Sequence, residues 1–471
     1  MAQNWNDRVP ETLQRLWSSL FDSHRPVYLV GGAVRDLLRG NTPHDYDLAS
    51  ARTPDEIIVW AADHGWRTVP SGIRFGTVTL YEPSNPGFLI EHTTLRQEGR
   101  YPDGRHPDHV VWTTSIEEDL SRRDFTFNAM AISWNGRIVD PFHGQHALKQ
   151  GIVAAVGDPL KRFAEDPLRM WRAARFAGMD LSGHAFRLDP TVEQAMLLLW
   201  PDLRQVSPER QRDEFWRLLQ QPHFFEALQI ADATGLFLSL WPEWRMTQGF
   251  NQRTLYHRYL LNEHLLRTAA QGPTPELRLA GLMHDIGKPW CYTLDSNGQG
   301  HFYGHDTMGA WQVERMLKRM HFSQRTVVRV RDLVAHHMYP WDHVGAKTLR
   351  RINREWGEEH VRELWTLRKM DVLGTGLHGT WEKESDIRQR WSDAVGPEPS
   401  KSRRLTVSGH DLMEWFHWSP GPKIGWWLHK MEEWIDQDPS LNHPTTLRER
   451  IRREIGRGMD APIEDTSGNC Y

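Results

Sequence analysis

A chain of 471 residues with 39% hydrophobic and 25% charged side chains is too long for one core and too apolar for extensive disorder, so two to four domains are expected. A formal net charge of -4 excludes a global basic excess, and any nucleic-acid surface must be a local patch. Two cysteines, Cys291 and Cys470, cannot build a disulfide framework; with no apolar signal core in MAQNWNDRVPETLQRLW and no membrane-length apolar run, the expected location is the cytoplasm.

Residues 11–22 read as a helix with Leu13, Leu16 and Leu20 on one face. Val27 to Val30 is a short buried strand, Gly31-Gly32 ends it, and AVRDLLRG restarts as a helix closed by Gly40. Asp45 to Leu48 reads as the next strand, followed by strand candidates at 66–69, 75–81 and 87–94. From Glu165 to about 245 the pattern is helical, with basic faces on DPLRMWRAARFA and ERQRDEFWRLL. A histidine-dense helical block follows, and Pro397, Pro399 and Ser400 mark a linker before a last small domain. The 23 tryptophans are read as core and interface packing, with base stacking for a few.

On one strand, Asp45 and Asp47 would face the same side and could share divalent cations, Mg2+ fitting their oxygen chemistry. Gly31-Gly32 permits close approach of backbone to a triphosphate, and the following helix start offers unpaired N–H groups. Each piece alone is weak; GGAVRDLLRG followed by HDYDLA is far more specific.

These segments resemble the class II CCA-adding enzyme and bacterial poly(A) polymerase family. FLIEHTTLRQEGRYPDGRHPDHV, EEDLSRRDFTFNAMAI, AEDPLRMWRAARFA and SPERQRDEFWRLL follow in the family's order. The resemblance implies an α+β fold: a small mixed, polymerase-beta-like head followed by all-helical neck, HD and tail domains. The expected boundaries are 1–160 for the catalytic head, 161–245 for the neck, 246–396 for the HD domain and 397–471 for the tail.

It also implies residue roles. Asp45 and Asp47 would hold Mg2+, with Glu91 as third carboxylate. Arg35, Arg122, Arg123, Asp124 and Asn128 would lie near sugar and phosphates. Asp166 and Arg169 would read the base, and Arg172 and Arg175 would contact the nucleotide or RNA phosphate. An Asp acceptor beside an Arg donor fits the amino and ring-nitrogen edge of C and A and mispairs with U and G. On one helix, Asp166 and Arg169 would share a face at i and i+3. The Gly- and Pro-rich loop after Arg96 resembles the one that supports the change from C to A addition.

Further on, His264, His284-Asp285, His305, His336 and Asp371 resemble an HD metal site, with His337 competing with His336. Mn2+, Ni2+ or Co2+ would suit that donor set. VSGHDLMEWFHWSPGPKIGWWLHKMEEWI resembles the tail of Gram-positive-type CCA-adding enzymes, where Gly421, Pro422, Lys423 and Gly425, with Arg210 and Arg212 from the neck, are candidate RNA contacts. The expected activity is template-independent addition of C, C and A to tRNA from CTP and ATP, with tRNA as partner and no obligate protein partner. The alternatives are a poly(A) polymerase or A-adding enzyme, an HD phosphohydrolase or 2′,3′-cyclic phosphodiesterase, and an RNA-binding scaffold.

Overall fold

The run Val27–Val30 forms strand β1, with Val27, Leu29 and Val30 buried and Tyr28 half-buried, as its β-branched, aromatic and aliphatic composition favours. The computed structural model describes residue 5 and residues 8–98, 110–377, 384–395 and 405–457. β1 lies between β2 (Tyr46–Ser50) and β8 (Ala131–Ser133) in a seven-stranded mixed sheet. The other strands are β3 (Arg67–Gly72), β4 (Thr77–Glu82), β5 (Asn85–Thr94) and β9 (Ile138–Val139), and the order is β3-β4-β5-β2-β1-β8-β9. β2 and β5 run parallel, while β1 pairs antiparallel with both neighbours. Two short strands, β6 (Arg96–Glu98) and β7 (Val110–Trp112), form a separate hairpin.

Helix α1 (Glu11–Leu20) buries Leu13, Leu16 and Leu20 together with Trp17. α2 (Gly32–Leu38) begins directly at the end of β1, because Gly31 takes φ 71° and ψ -133°, a backbone closed to other residues. α3 (Pro54–Asp63) starts on a Thr53–Glu56 capping box. α4 (Ile116–Ser121) is capped by Ser115 and leads into the buried turn Thr126–Asn128. α5 (Gly144–Gln150) closes this region.

The expected strand at Asp45 is corrected by one residue at its start. β2 begins at Tyr46, and Asp45 sits in the bend before it. The expected continuous helix through Asp166 is also corrected. α6 (Pro159–Glu165) stops at Asp166, whose φ -141° and ψ 97° are extended, and α7 (Leu168–Ala177) starts after Pro167. A residue before proline is pushed out of the helical region, so the break is local chemistry. α8 (Pro190–Leu199) and α9 (Pro208–Leu218) follow, and Trp171 of α7 packs edge-on against Phe215 of α9 at 5.8 Å. Short strands at 180–181, 184–185 and 187–188, the last paired with 152–153, interrupt the stretch from Glu165 expected to be helical throughout.

The chain divides into two compact units, Met1–Ala335 with Leu373–Leu377, and His336–Val372 with His378–Tyr471. That division separates neither head from neck nor neck from the histidine-rich block, and it cuts inside the segment expected to be one HD domain. In the second unit Leu412, Trp427, Met431, Leu447 and Ile451 form a core with Trp434. Trp17, Trp171, Trp241, Trp244 and Trp427 are fully buried, which agrees with packing roles for the tryptophans. Among the described residues no helix is long and apolar enough to cross a membrane. The linker at Pro397–Ser400 and most of the loop after Arg96 lie outside the described residues.

Candidate active site

β1, β2 and α2 meet where the sheet hands Gly31 and Asp47 to one cavity of about 580 Å³. Gly31, Gly32, Arg35, Asp45, Asp47, Arg122, Arg123, Asp124, Asn128, Asp166, Arg169, Arg172 and Arg175 all line it. Phe176, Arg210 and Arg217 line it too, and arginines outnumber carboxylates on its wall, so it is built for an anion.

The floor is a set of carboxylates. Asp47 is the register partner of Glu91 across the parallel β2–β5 pair. Burial, then the nearby Glu91 and Asp45 charges, push the Asp47 carboxyl up to about 6, against the opposing pull of Arg123. Such crowding of acids costs free energy that a bound divalent cation would remove, so the residues fit Mg2+. Glu91 is exposed on β5 and does not line the cavity; its register opposite Asp47 and its charge on that carboxyl place it in the set.

The walls are a hydrogen-bonded network. Arg35 Nη1 donates to Asn128 Oδ1 at 2.9 Å, and Asn128 Nδ2 donates to Asp124 Oδ1 at 3.1 Å. Arg172 Nε donates to Asp124 Oδ2 at 2.7 Å, and Arg175 Nε to Glu214 at 2.7 Å. Burial would raise the Asp124 carboxyl, but Arg172, Asn128 and Arg169 hold it well below the usual carboxylate range. Arg175 lies 4.1 Å over the Phe176 ring, with Arg35 and Arg172 at 5.3 and 5.6 Å.

The base-reading pair differs from expectation in how it is held. Asp166 and Arg169 are not on one helix. Asp166 caps α7, accepting from the Leu168 N–H at 3.2 Å, and its carboxylate meets Arg210 Nη2 of α9 at 3.3 Å. Arg169 is pinned by Glu165 at 3.1 Å and by the Arg122 carbonyl at 3.2 Å. Both still face the cavity, because α7 turns Arg169 back toward its N-terminal end. Arg210, expected among the RNA contacts, lines this cavity; Arg212 pairs with Asp213 at 2.7 Å and meets the His321 carbonyl.

Four contributors were missed: Asp119, Glu165, Glu214 and Phe176. Asp119 stands i–3 and i–4 from Arg122 and Arg123, and Glu165 stands i–4 from Arg169, so helical spacing was the available signal. Phe176 stands i+4 from Arg172 on α7, the same kind of signal, whereas Glu214 meets Arg175 across elements and left none.

A second cluster lies in the first unit. His264 Nε2 and His284 Nε2 are 3.2 Å apart, and both reach Asp285 Oδ2, at 3.4 and 3.1 Å. Their Nδ1 atoms face the carbonyls of Gly374 and Gly281 at 3.2 and 2.8 Å. A ring nitrogen facing a carbonyl carries a proton, so each Nε2 is the atom left to bind, and two Nε2 atoms and a carboxylate converge as a donor set that fits a metal ion. His305 Nε2 adds a contact to Asp285 Oδ1 at 3.2 Å. Asp371 and His336 belong to the second unit, where Asp371 pairs with Arg368 at 2.8 Å. His336 is corrected as a metal candidate: its ring packs on Trp356 at 4.2 Å and near His360, whereas His337 is the buried member of the pair.

In the tail, Gly421 precedes the helix Pro422–Gln437, with Pro422 at its first position. Lys423 Nζ lies 4.7 Å over the Trp418 ring, and a side chain at Gly421 or Gly425 would meet open space.

Comparison with known proteins agrees with this geometry. The poly A polymerase head domain matches residues 27–154, the probable RNA and SrmB-binding site of polymerase A matches 185–246, and the HD domain matches 259–376. A CCA-adding enzyme of Geobacillus sp. (strain WCH70) is 32% identical over 441 residues, 92% of this chain and 94% of that protein. A CCA-adding enzyme of Anoxybacillus flavithermus is 44% identical over 214 residues, 45% of this chain and 51% of that protein. The crystal structure of the Bacillus stearothermophilus CCA-adding enzyme in complex with CTP aligns with a TM-score of 0.65 at 27% identity, covering 95% of this chain and all of that one. With a relative this similar along nearly its whole length, the chain belongs to the CCA-adding enzyme family.

Proposed function

We propose that this protein adds C, C and A to the 3′ end of tRNA, using CTP and ATP and releasing pyrophosphate. The observation that carries the reading is one cavity holding both the carboxylates Asp45 and Asp47 and the base-reading candidates Asp166 and Arg169. Similar CCA-adding enzymes crystallised with CTP and with ATP support the same substrates.

Arg122, Arg123 and the Gly31-Gly32 backbone bind the triphosphate, and Asp124 with Asn128 orients the sugar. Asp166 and Arg169 select the edge shared by C and A. Asp45, Asp47 and Glu91 would hold Mg2+, which supplies charge neutralisation for the attacking and leaving oxygens when bound. The protein's own share of catalysis is positioning plus electrostatics. The tail segment around Gly421, Pro422, Lys423 and Gly425 contacts the tRNA body, and the cytoplasm is the working compartment. The four domains expected from the motifs serve as functional regions of the chain.

Incubating the protein with tRNA lacking its 3′ end tests the reading. Two C additions followed by one A are expected. ATP-only incorporation would replace it with the poly(A) or A-adding reading. The converging donors of His264, His284 and Asp285 favour a second reading, a metal-dependent phosphohydrolase centre separable from CCA addition.

A further inference from the structure

Asp119 pairs with two arginines of the site but does not itself line the cavity, yet it is 1% exposed and carries a charge. Burying a carboxylate is costly unless every oxygen is paired, so its partners define its task. Oδ1 accepts from Arg122 Nε and Nη2 at 3.0 and 2.9 Å, and from the Arg96 backbone N–H at 3.3 Å. Oδ2 accepts from Arg123 Nη2 at 3.2 Å.

Each partner leads somewhere. Arg122 and Arg123 both line the cavity. A β-carbon added at Gly31 would lie 2.9 Å from Arg123 Nη1 and 3.9 Å from Asp47 Oδ2, so Arg123 reaches into the glycine cradle beside the catalytic carboxylate. Arg96 opens β6, the first strand of the hairpin it forms with β7. One buried carboxylate thus fixes two cavity arginines and the root of that hairpin.

An ion pair that merely capped α4 would need one arginine and no burial. Here two guanidiniums share one carboxylate, which fixes their mutual spacing. Arginine holds an oxyanion best when its fork is pre-oriented, because less side-chain freedom is lost on binding.

We propose that Asp119 is a positioning residue for nucleotide binding: it sets Arg123 against the Gly31 cradle, fixes Arg122 on the same carboxylate and ties both to the β6–β7 hairpin. The inference rests on the cavity being the CTP and ATP site. Because Arg123 reaches the Gly31 cradle beside Asp47, Asp119 acts through it on the part of the nucleotide common to CTP and ATP.

Calorimetric titration of the full-length chain with CTP and with ATP, in Mg2+, tests it. Asp119→Asn should weaken both nucleotides by the same factor, about 10- to 100-fold. KM should rise by a similar factor, with kcat changing far less. In an Arg123→Gln background, Asp119→Asn should add much less than it does alone. Asp119→Glu keeps the charge and serves if the Asn variant does not fold; its expected signature is the same equal weakening, smaller in size. Unchanged affinity, a kcat loss at constant KM, weakening confined to one nucleotide, or full additivity with Arg123→Gln would overturn the assignment. Wild-type protein that binds neither nucleotide would instead overturn the reading of the cavity itself.

Discussion

Asp47 on β2 stands directly opposite Glu91 on β5, so two acids that are 44 residues apart in the chain share one register position. Asp47→Asn should therefore lower nucleotide incorporation by roughly 1000-fold or more while leaving tRNA retention in a gel-shift assay intact. Incorporation within a few-fold of wild type would remove Asp47 from the catalytic set.

Gly31 combines a backbone closed to other residues with the close approach of Arg123. Gly31→Ala should cost about 1–3 kcal/mol in stability and weaken CTP and ATP binding together. Thermal melts with and without nucleotide measure both effects; a variant with unchanged melting and affinity would show that the cradle is not needed.

Asp166 is held by Arg210 and by the start of α7. Removing its carboxylate by Asp166→Ala should narrow the preference for CTP over UTP by about 10- to 100-fold. Arg210→Gln should move the same ratio in the same direction, by less. Single-turnover incorporation with each nucleotide gives the ratios, and an unchanged ratio in Asp166→Ala would count against base reading there.

The Asp124 carboxyl is depressed in the folded protein, so its contribution to stability is complete above the unfolded carboxylate value and is lost as pH falls toward the lower folded value. Melting temperature should drop on the acid side, below about pH 4. Arg172→Met should lower stability at neutral pH by roughly 2–3 kcal/mol, less than for a fully buried pair because Arg172 is partly exposed. It should also flatten the acid-side loss. A variant melting profile parallel to wild type between pH 3 and about pH 6 would refute this pairing as its source.

The histidine cluster should bind Mn2+, Ni2+ or Co2+, and His284→Ala should abolish that binding, as measured by metal content after dialysis. CCA addition should survive the change, since His284 lies outside the nucleotide cavity. Equal metal content in wild type and variant would assign the cluster a purely structural role.

The chemistry was legible in the sequence because it depends on residue types in order. Gly31-Gly32, Asp45, Asp47, Arg122, Arg123, Asp124, Asn128, Asp166 and Arg169 could be named as one set from their resemblance to a known family without knowing where they meet, and the cavity gathers them. Strand β1 was equally legible, since an unbroken apolar run ending on two glycines admits few structures.

Only the tertiary structure decided how those groups are held. Hydrophobic periodicity describes one helix at a time, whereas Arg210 meets Asp166 and Arg175 meets Glu214 across elements. The helix break at Asp166 was written in the following Pro167, but its consequence, a carboxylate held by Arg210 of α9, was not. Nor could spacing say that His336 turns to Trp356 and leaves His337 as the buried histidine, because adjacent residues on a helix point about 100° apart and packing alone chooses between them.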